Sequence, residues 1–155
     1  MMEKHYRLLY PARVSLITSR HDGKDNIMSA SWVFPLSADP SMFGIAIAPK
    51  RHSFSVIRDG KAFAINIPGP GMEEAIRTCG TGTGEGTDRF ADAGLTREEG
   101  KKVPLIKECA ASIECELVEQ MKIGDHVIFV GKAINIVKRK ESKGVYQSGD
   151  GFISV

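Results

Sequence analysis

Along most of this chain, apolar and polar positions alternate with a period of two, interrupted by short stretches of helical period. Val14 to Ser19 predicts a strand. The group His21-Asp22-Gly23-Lys24-Asp25-Asn26 supplies turn residues after it, and Ile27 to Val33 predicts its hairpin partner. Pro35 and the Ala38-Asp39-Pro40 turn interrupt the pattern, and Met42 to Ala48 opens a third strand. In that strand Ile45 and Ile47 point one way, while Gly44, Ala46 and Ala48 point the other. A face of such small residues lets something flat come close to the backbone. Close packing under a helix explains it equally well. Phe63 to Ile67 alternates as a further strand and stops at Pro68.

Two segments switch to a helical period. Ser53 to Gly60 predicts a short helix, with Ser53 as its N-cap and Gly60 just past its end. Met72, Ala75, Ile76 and Cys79 fall at i, i+3, i+4 and i+7, the stripe of an amphipathic helix. Gly80 to Gly86 is a glycine-rich loop leading to Asp88-Arg89-Phe90. The last third returns to strands. Ile113, Cys115 and Leu117 alternate with Ser112, Glu114 and Glu116, which predicts one buried and one wet face. After the turn Gly124-Asp125, His126 to Val137 carries Val127 and Phe129 on one side and Ile128 and Val130 on the other. A strand apolar on both faces must be covered on both, so a subunit interface is expected there. The whole pattern is mainly β, a β-barrel with short helical insertions forming a single domain over residues 1–155. It lacks the regular strand–helix alternation of a doubly wound sheet.

Composition narrows the classes. Over 155 residues, 42% hydrophobic and 26% charged content is ordinary for a globular chain, and a formal charge of +2 offers no concentrated basic face for nucleic acid. Cys79, Cys109 and Cys115 are an odd set without CxxC spacing, which argues against a disulfide framework or a zinc site and suits a reducing cytosol. His5, His21, His52 and His126 lack ligand spacing, so no metal site is expected. No apolar run approaches the ~20 residues that cross a bilayer, and no export region follows the N-terminal residues; a cytoplasmic location is the expectation.

Candidate chemistry concentrates between Asn26 and Ser53. Lys50-Arg51-His52-Ser53 sits where a strand ends and a helix begins, so two cations stand beside free N–H groups and the positive end of a helix dipole. A phosphate would gain charge-assisted bonds from Arg51 and one more from Ser53. Taken alone, the corner reads more simply as a surface charge pair with an ordinary N-cap. Ser29-Ala30-Ser31-Trp32 reads as a strand whose backbone meets the polar edge of a heterocycle while Trp32 walls the pocket. Taken alone, Trp32 reads as a core residue. The two together point to flavin mononucleotide (FMN), a flat ring with an anionic tail. His126 is a candidate to donate a proton or hydrogen bond over that cofactor, and a turn or cap residue otherwise. The glycine run matches neither GxGxxG nor GxxxxGK and is read as a loop. Cys115 and His126 carry no feature that orients them as a nucleophile pair, so a hydrolase is rejected.

Eight motifs then occur in one order: Asn26-Ile27-Met28 with Trp32, Asp39-Pro40, Arg51-His52-Ser53, Phe63 to Pro68, Cys79-Gly80, Asp88-Arg89-Phe90-Ala91, Ile113-Glu114-Cys115 and Gly124-Asp125-His126. In this the chain resembles the flavin reductase-like family of FMN-binding split barrels, nearest its flavoredoxin and ferric-reductase branch, from about Val14 to Ile136. It departs from many reductase members at Ser31-Trp32, where they carry Asn-Ser. The resemblance implies a mainly β, Greek-key-like split barrel that forms a homodimer with FMN near the subunit interface. By position, Ser29, Ala30, Ser31, Trp32, Ser37, Ala38 and Asp39 would line the ring and ribityl chain. Lys50, Arg51 and Ser53 would take the phosphate, Phe90 would approach from the glycine-rich loop, and His126 would lie where nicotinamide docks. The implied chemistry passes electrons from NADH or NADPH through flavin to free flavin, ferric chelates or a protein. The alternative is a flavoredoxin-like electron-transfer module reduced by a partner protein.

Overall fold

A computed structural model describes residues 3–155. Its main sheet is built from antiparallel hairpins. Strands β2 (Ser15–His21) and β3 (Lys24–Ala30) are joined by Asp22-Gly23, both at positive φ (50° and 70°), the backbone of a two-residue hairpin turn. The turn is therefore shorter than the polar run suggests: Lys24, Asp25 and Asn26 are already strand. Counting β1 (Ala12–Arg13) first, β4 (Val33–Ala38) and β5 (Ser41–Ile47) form the next hairpin. Pro35 lies inside β4, which is tolerated because β4 is an edge strand and shifts register between Pro35 and Ser37. After helix α1 (His52–Gly60) comes β6 (Ala62–Ile67). Helices α2 (Glu73–Gly80) and α3 (Arg89–Ala93) and the short hairpin β7 (Arg97–Glu99)–β8 (Pro104–Ile106) precede the longest pair, β9 (Ala111–Ile123) and β10 (His126–Lys138). Strands β11 (Val145–Ser148) and β12 (Gly151–Ser154) close the chain and pair with β1.

The seven-stranded order is β3-β2-β6-β9-β10-β5-β4. Its two outer strands, β3 and β4, are consecutive in the chain and linked by Ser31-Trp32, yet they do not pair. The sheet thus rolls into a barrel that stays open along one seam. Ile17, Ile45, Ile47, Phe63, Ile65, Cys115, Val127 and Phe129 fill its interior from five different strands, with Ile57 of α1 among them. Burying one such side chain contributes ~2–3 kcal/mol. A second cluster, including Leu16, Ile27, Ile76, Cys79 and Phe90, packs α2 and α3 against the outer surface of β2 and β3. The stripe Ala75, Ile76 and Cys79 is buried as the helical spacing predicts. Among the described residues no helix is long and apolar enough to cross a membrane.

Several local expectations need correction. Ser31 and Trp32 lie outside β3, in the seam. The N-cap of α1 is Arg51, not Ser53, and the left-handed residue at its end is Lys61 (φ 60°), so Gly60 is still helical. Space, not turn geometry, explains that glycine, since a Cβ on Gly60 would run into the Arg20 carbonyl oxygen. The supposedly wet face of β9 is buried: Ser112 and Glu114 are both 0% exposed. The segment before β8 folds over them, and Glu114 accepts backbone N–H bonds from Lys101, Lys102 and Val103 and one from Asn135 Nδ2 at 3.1 Å. Burial pushes its carboxyl upward, but these four donors outweigh it and hold the group below the ordinary glutamate range.

Candidate functional site

The open seam is the mouth of a cleft of about 890 Å³, a volume suited to a cofactor-sized ligand. One wall is Met28 to Trp32, where β3 ends and the chain leaves the sheet. The floor is Ala46 on the small-residue face of β5 and Ala48 just past its end, and these side chains look into the cleft rather than under a helix. Farther along the same face Gly44 leaves room for the Phe34 ring. The sequence left open whether a flat group or a packed helix occupies this face, and the fold puts open space there.

Aromatic rings gather at one end. Trp32 stacks on His126 with centroids 4.3 Å apart and planes 29° apart, and Tyr6 meets Trp32 edge-on at 5.1 Å. His126 reaches the cleft because the two-residue turn Gly124-Asp125 lifts β10 to that height. Its Nδ1 bonds Asp125 Oδ1 at 2.7 Å, which orients the ring and leaves Nε2 for other partners. That bond, helped by nearby Lys50, holds the Asp125 carboxyl below its usual range. Ser29 borders the same wall, and its hydroxyl donates to the Ile76 carbonyl at 2.6 Å, tying β3 to α2.

The other end is cationic. Lys50 and Arg51 stand exposed at the rim, and the first turn of α1 has no side-chain cap. Ser53 is buried at the second position of the helix, where its Oγ accepts from Asn26 Nδ2 at 2.7 Å. Arg89 enters from α3, only 6% exposed, and donates to the carbonyl oxygens of Thr78 and Thr81 at the end of α2. The charges at this end match an anion, and the small floor and aromatic wall at the other match a flat ring. The residues therefore fit a flavin with a phosphorylated tail.

Of the predicted site residues, the cleft brings together Ser29, Ala30, Ser31, Trp32, Lys50, Arg51, Ser53 and His126. Ser37, Ala38 and Asp39 do not line it. They sit at the far tip of the β4–β5 hairpin, because β4 runs away from the seam after Trp32. Phe90 does not line it either. Asp88 caps α3 by accepting from the Ala91 N–H, and that phase turns Phe90 into the core (1% exposed) and Arg89 back toward α2. Arg89 and Tyr6 also line the cleft and were not among the candidate site residues. The retrievable signal was Arg89, a cation just after a loop and able to satisfy the orphan carbonyls of the preceding helix. Cys79 borders the cleft, but burial pushes its thiol up to about 11. Cys115 lies inside the barrel opposite Ala133, well along β10 from His126. Among the described residues no group of three or more His, Cys, Asp or Glu is placed to hold a metal.

The sequence profile described as "Flavin reductase like domain" matches residues 6–151, which includes both ends of the cleft. The chain belongs to this family. It is 41% identical over 139 residues to an uncharacterised protein of Pyrococcus abyssi, covering 88% of this chain and 80% of that one. The reductase component of a 4-nitrophenol monooxygenase from Rhodococcus opacus is 29% identical over 126 residues, covering 81% of this chain and 65% of that one. In three dimensions the flavoredoxin of Methanosarcina acetivorans superposes with a TM-score of 0.88 at 25% identity, covering 100% of this chain and 90% of that chain. Within this flavin reductase-like family the rolled, open sheet is the shared framework.

Proposed function

We propose that this flavin reductase-like protein binds FMN in the seam cleft and passes electrons from NADH or NADPH to a free flavin, a ferric chelate or a protein acceptor. One observation carries the reading: a single cleft joins an aromatic wall over a small-residue floor to a cationic corner at an uncapped helix start. Bound flavin would supply the two-electron acceptance and one-electron release that no side chain here provides. The chain's own contributions are different. Lys50, Arg51 and the free amides of α1 hold the anionic tail, the β5 floor admits the ring, and Trp32 and His126 exclude water from one side of it. His126, oriented by Asp125, offers a donor at the position where a reduced nicotinamide would approach.

We also propose that the active form is a homodimer. On the outer face of β9 and β10, Met121 pairs with Ile128 and Ile123 with His126, and Met121 and Ile123 are exposed. This apolar strip adjoins the aromatic end of the cleft, so a second copy covering it would also complete that wall.

A second reading has its own support. The Trp32–His126 stack narrows the cleft where nicotinamide would dock, which favours an electron carrier reduced by a partner protein. Stopped-flow mixing of FMN-loaded protein with NADH and NADPH separates the two. Rapid bleaching of the flavin band supports the reductase, and a band that persists with both nucleotides but bleaches with a reduced partner flavoprotein supports the carrier.

A further inference from the structure

Three aromatic side chains meet in a row at the end of the cleft away from the cations. Tyr6, in a short 3-10 helix (His5–Leu9) ahead of β1, meets the Trp32 indole edge-on, with centroids 5.1 Å apart and planes at 77°. Trp32 in turn lies on the His126 imidazole, 4.3 Å away and 29° from parallel. All three border the cleft. The main chain of Trp32 is fixed: its carbonyl accepts the Ala46 N–H at 3.0 Å, and β3 ends at Ala30 while β4 begins at Val33. Its side chain is held differently. The residue is partly exposed, and ring contacts of this kind are individually weak. The support behind it is weaker still, since the 3-10 helix buries none of its residues. The indole is therefore free to turn about its χ angles while the barrel stays as it is. His126 does not share that freedom. It opens β10, pairs with Ile123 of β9, and its Nδ1 is held to Asp125 at 2.7 Å. One of the two stacked rings is anchored and the other is not.

We infer that Trp32 is a gate for the electron donor: its indole competes with a nicotinamide ring for the face of His126, and Tyr6 sets how firmly the gate is shut. The inference rests on the proposed reading of this cleft as a flavin site reduced by a nicotinamide nucleotide, and it adds what regulates that step. A ring stacked at 4.3 Å covers the imidazole face on which it lies, so the indole and a second planar group cannot share that face. With the indole on His126, this end of the cleft takes no nicotinamide. With the indole turned away, His126 meets the donor with Nε2 free, because Asp125 occupies Nδ1. The two readings of the function, reductase and carrier, then correspond to two positions of one side chain. Rotation of Trp32, rather than hydride transfer from the nicotinamide, limits the rate. Tyr6 reaches the gate from outside the barrel, so the N-terminal segment tunes the gate without touching the floor or the cationic corner.

The test has a structural and a kinetic arm. Trp32 is the only tryptophan, so the flavin-free protein gives a single indole N–H resonance. Relaxation dispersion should show that resonance exchanging between two positions, and Tyr6→Ala should raise the minor population at least ~2-fold. A resonance without exchange in both proteins overturns the gate. In the kinetic arm, FMN-loaded protein is mixed with NADH or NADPH in a stopped-flow instrument. The wild-type rate should reach a plateau with no isotope effect from nucleotide deuterated at both C4 positions. Trp32→Ala and Tyr6→Ala should raise that plateau at least ~3-fold and uncover the isotope effect. Equal plateaus with equal isotope effects in all three proteins overturn the inference and leave the reductase reading standing. A wild type that stays oxidised while FMN-loaded Trp32→Ala is reduced supports the gate. If neither is reduced by either nucleotide, the nicotinamide reading fails and the gate falls with it. If the wild type binds no flavin, the flavin reading fails and the indole resonance alone decides. Should Trp32→Ala not fold, Tyr6→Ala carries the kinetic arm, since it changes a helix with no buried residue.

Discussion

In the proposed reading, Arg51 and His126 divide the labour of the cleft between binding and chemistry. Arg51 stands at the rim as the N-cap of α1, where its guanidinium meets solvent until an anion arrives. Arg51→Ala should weaken FMN binding by about 2 kcal/mol, the loss of one charge-assisted contact, and leave riboflavin binding unchanged. An unaltered dissociation constant for FMN removes Arg51 from the site. His126 is held by Asp125 and stacks on Trp32, so His126→Ala should slow flavin reduction more than it weakens binding, as stopped-flow rates and equilibrium titration would show. Equal losses in both measurements assign His126 a packing role. The place of these two at the cleft was legible in the sequence, because a cation pair before a helix start and a histidine after a glycine turn are local patterns. Arg89 and Phe90 were not separable in that way. Which of two neighbouring side chains enters the core depends on the phase of α3, set by the Asp88 cap and the surface of β3 against which the helix lies.

Elements whose pattern is read against solvent were legible, and elements covered by distant segments were not. A turn after β2 and the α2 stripe follow from turn chemistry and period alone, though the turn is only Asp22-Gly23 rather than the whole polar run. Strand β9 reads as half wet because Ser112, Glu114 and Glu116 alternate with apolar residues, yet Ser112 and Glu114 are fully buried. Nothing local signals that the segment before β8 will fold over them. There Asn66 collects Ser112 Oγ at 2.6 Å and the Ile106 N–H at 3.1 Å, and Glu114 collects four N–H groups. Glu114 thus pins a loop to the barrel. Its carboxyl is held low in the folded state, so its stabilisation is complete above the ordinary glutamate range and is lost as pH falls through the folded value. Glu114→Gln should cost roughly 2–4 kcal/mol in urea unfolding at pH 7, because an amide nitrogen would face backbone donors. The variant should also show a flatter dependence of stability on pH below about 5 than the wild type. A variant as stable as the wild type would mean that the loop is held by Val103 and Leu105 packing instead.

At the scale of the molecule, the proposed function follows from a barrel that does not close. Strands β3 and β4 part at Ser31-Trp32, and the gap exposes the small-residue floor of β5 to a ligand while α1 points its free N–H groups at the same space. The mainly β barrel was readable from alternation, whereas its split came only from the family resemblance, since alternation does not show which edge strands fail to pair. The exposed apolar strip of Met121 and Ile123 is what the proposed dimer would cover. Light scattering should give twice the mass of one chain, and Met121→Glu should halve it; a wild type that is monomeric at micromolar concentration contradicts the dimer. The central claim is tested most directly by titrating FMN into the flavin-free protein while following Trp32, the only tryptophan of the chain and part of the cleft wall. Saturable quenching at one FMN per chain, with a yellow protein after gel filtration, is the expected result. Unchanged tryptophan emission and a colourless protein at saturating FMN would contradict it.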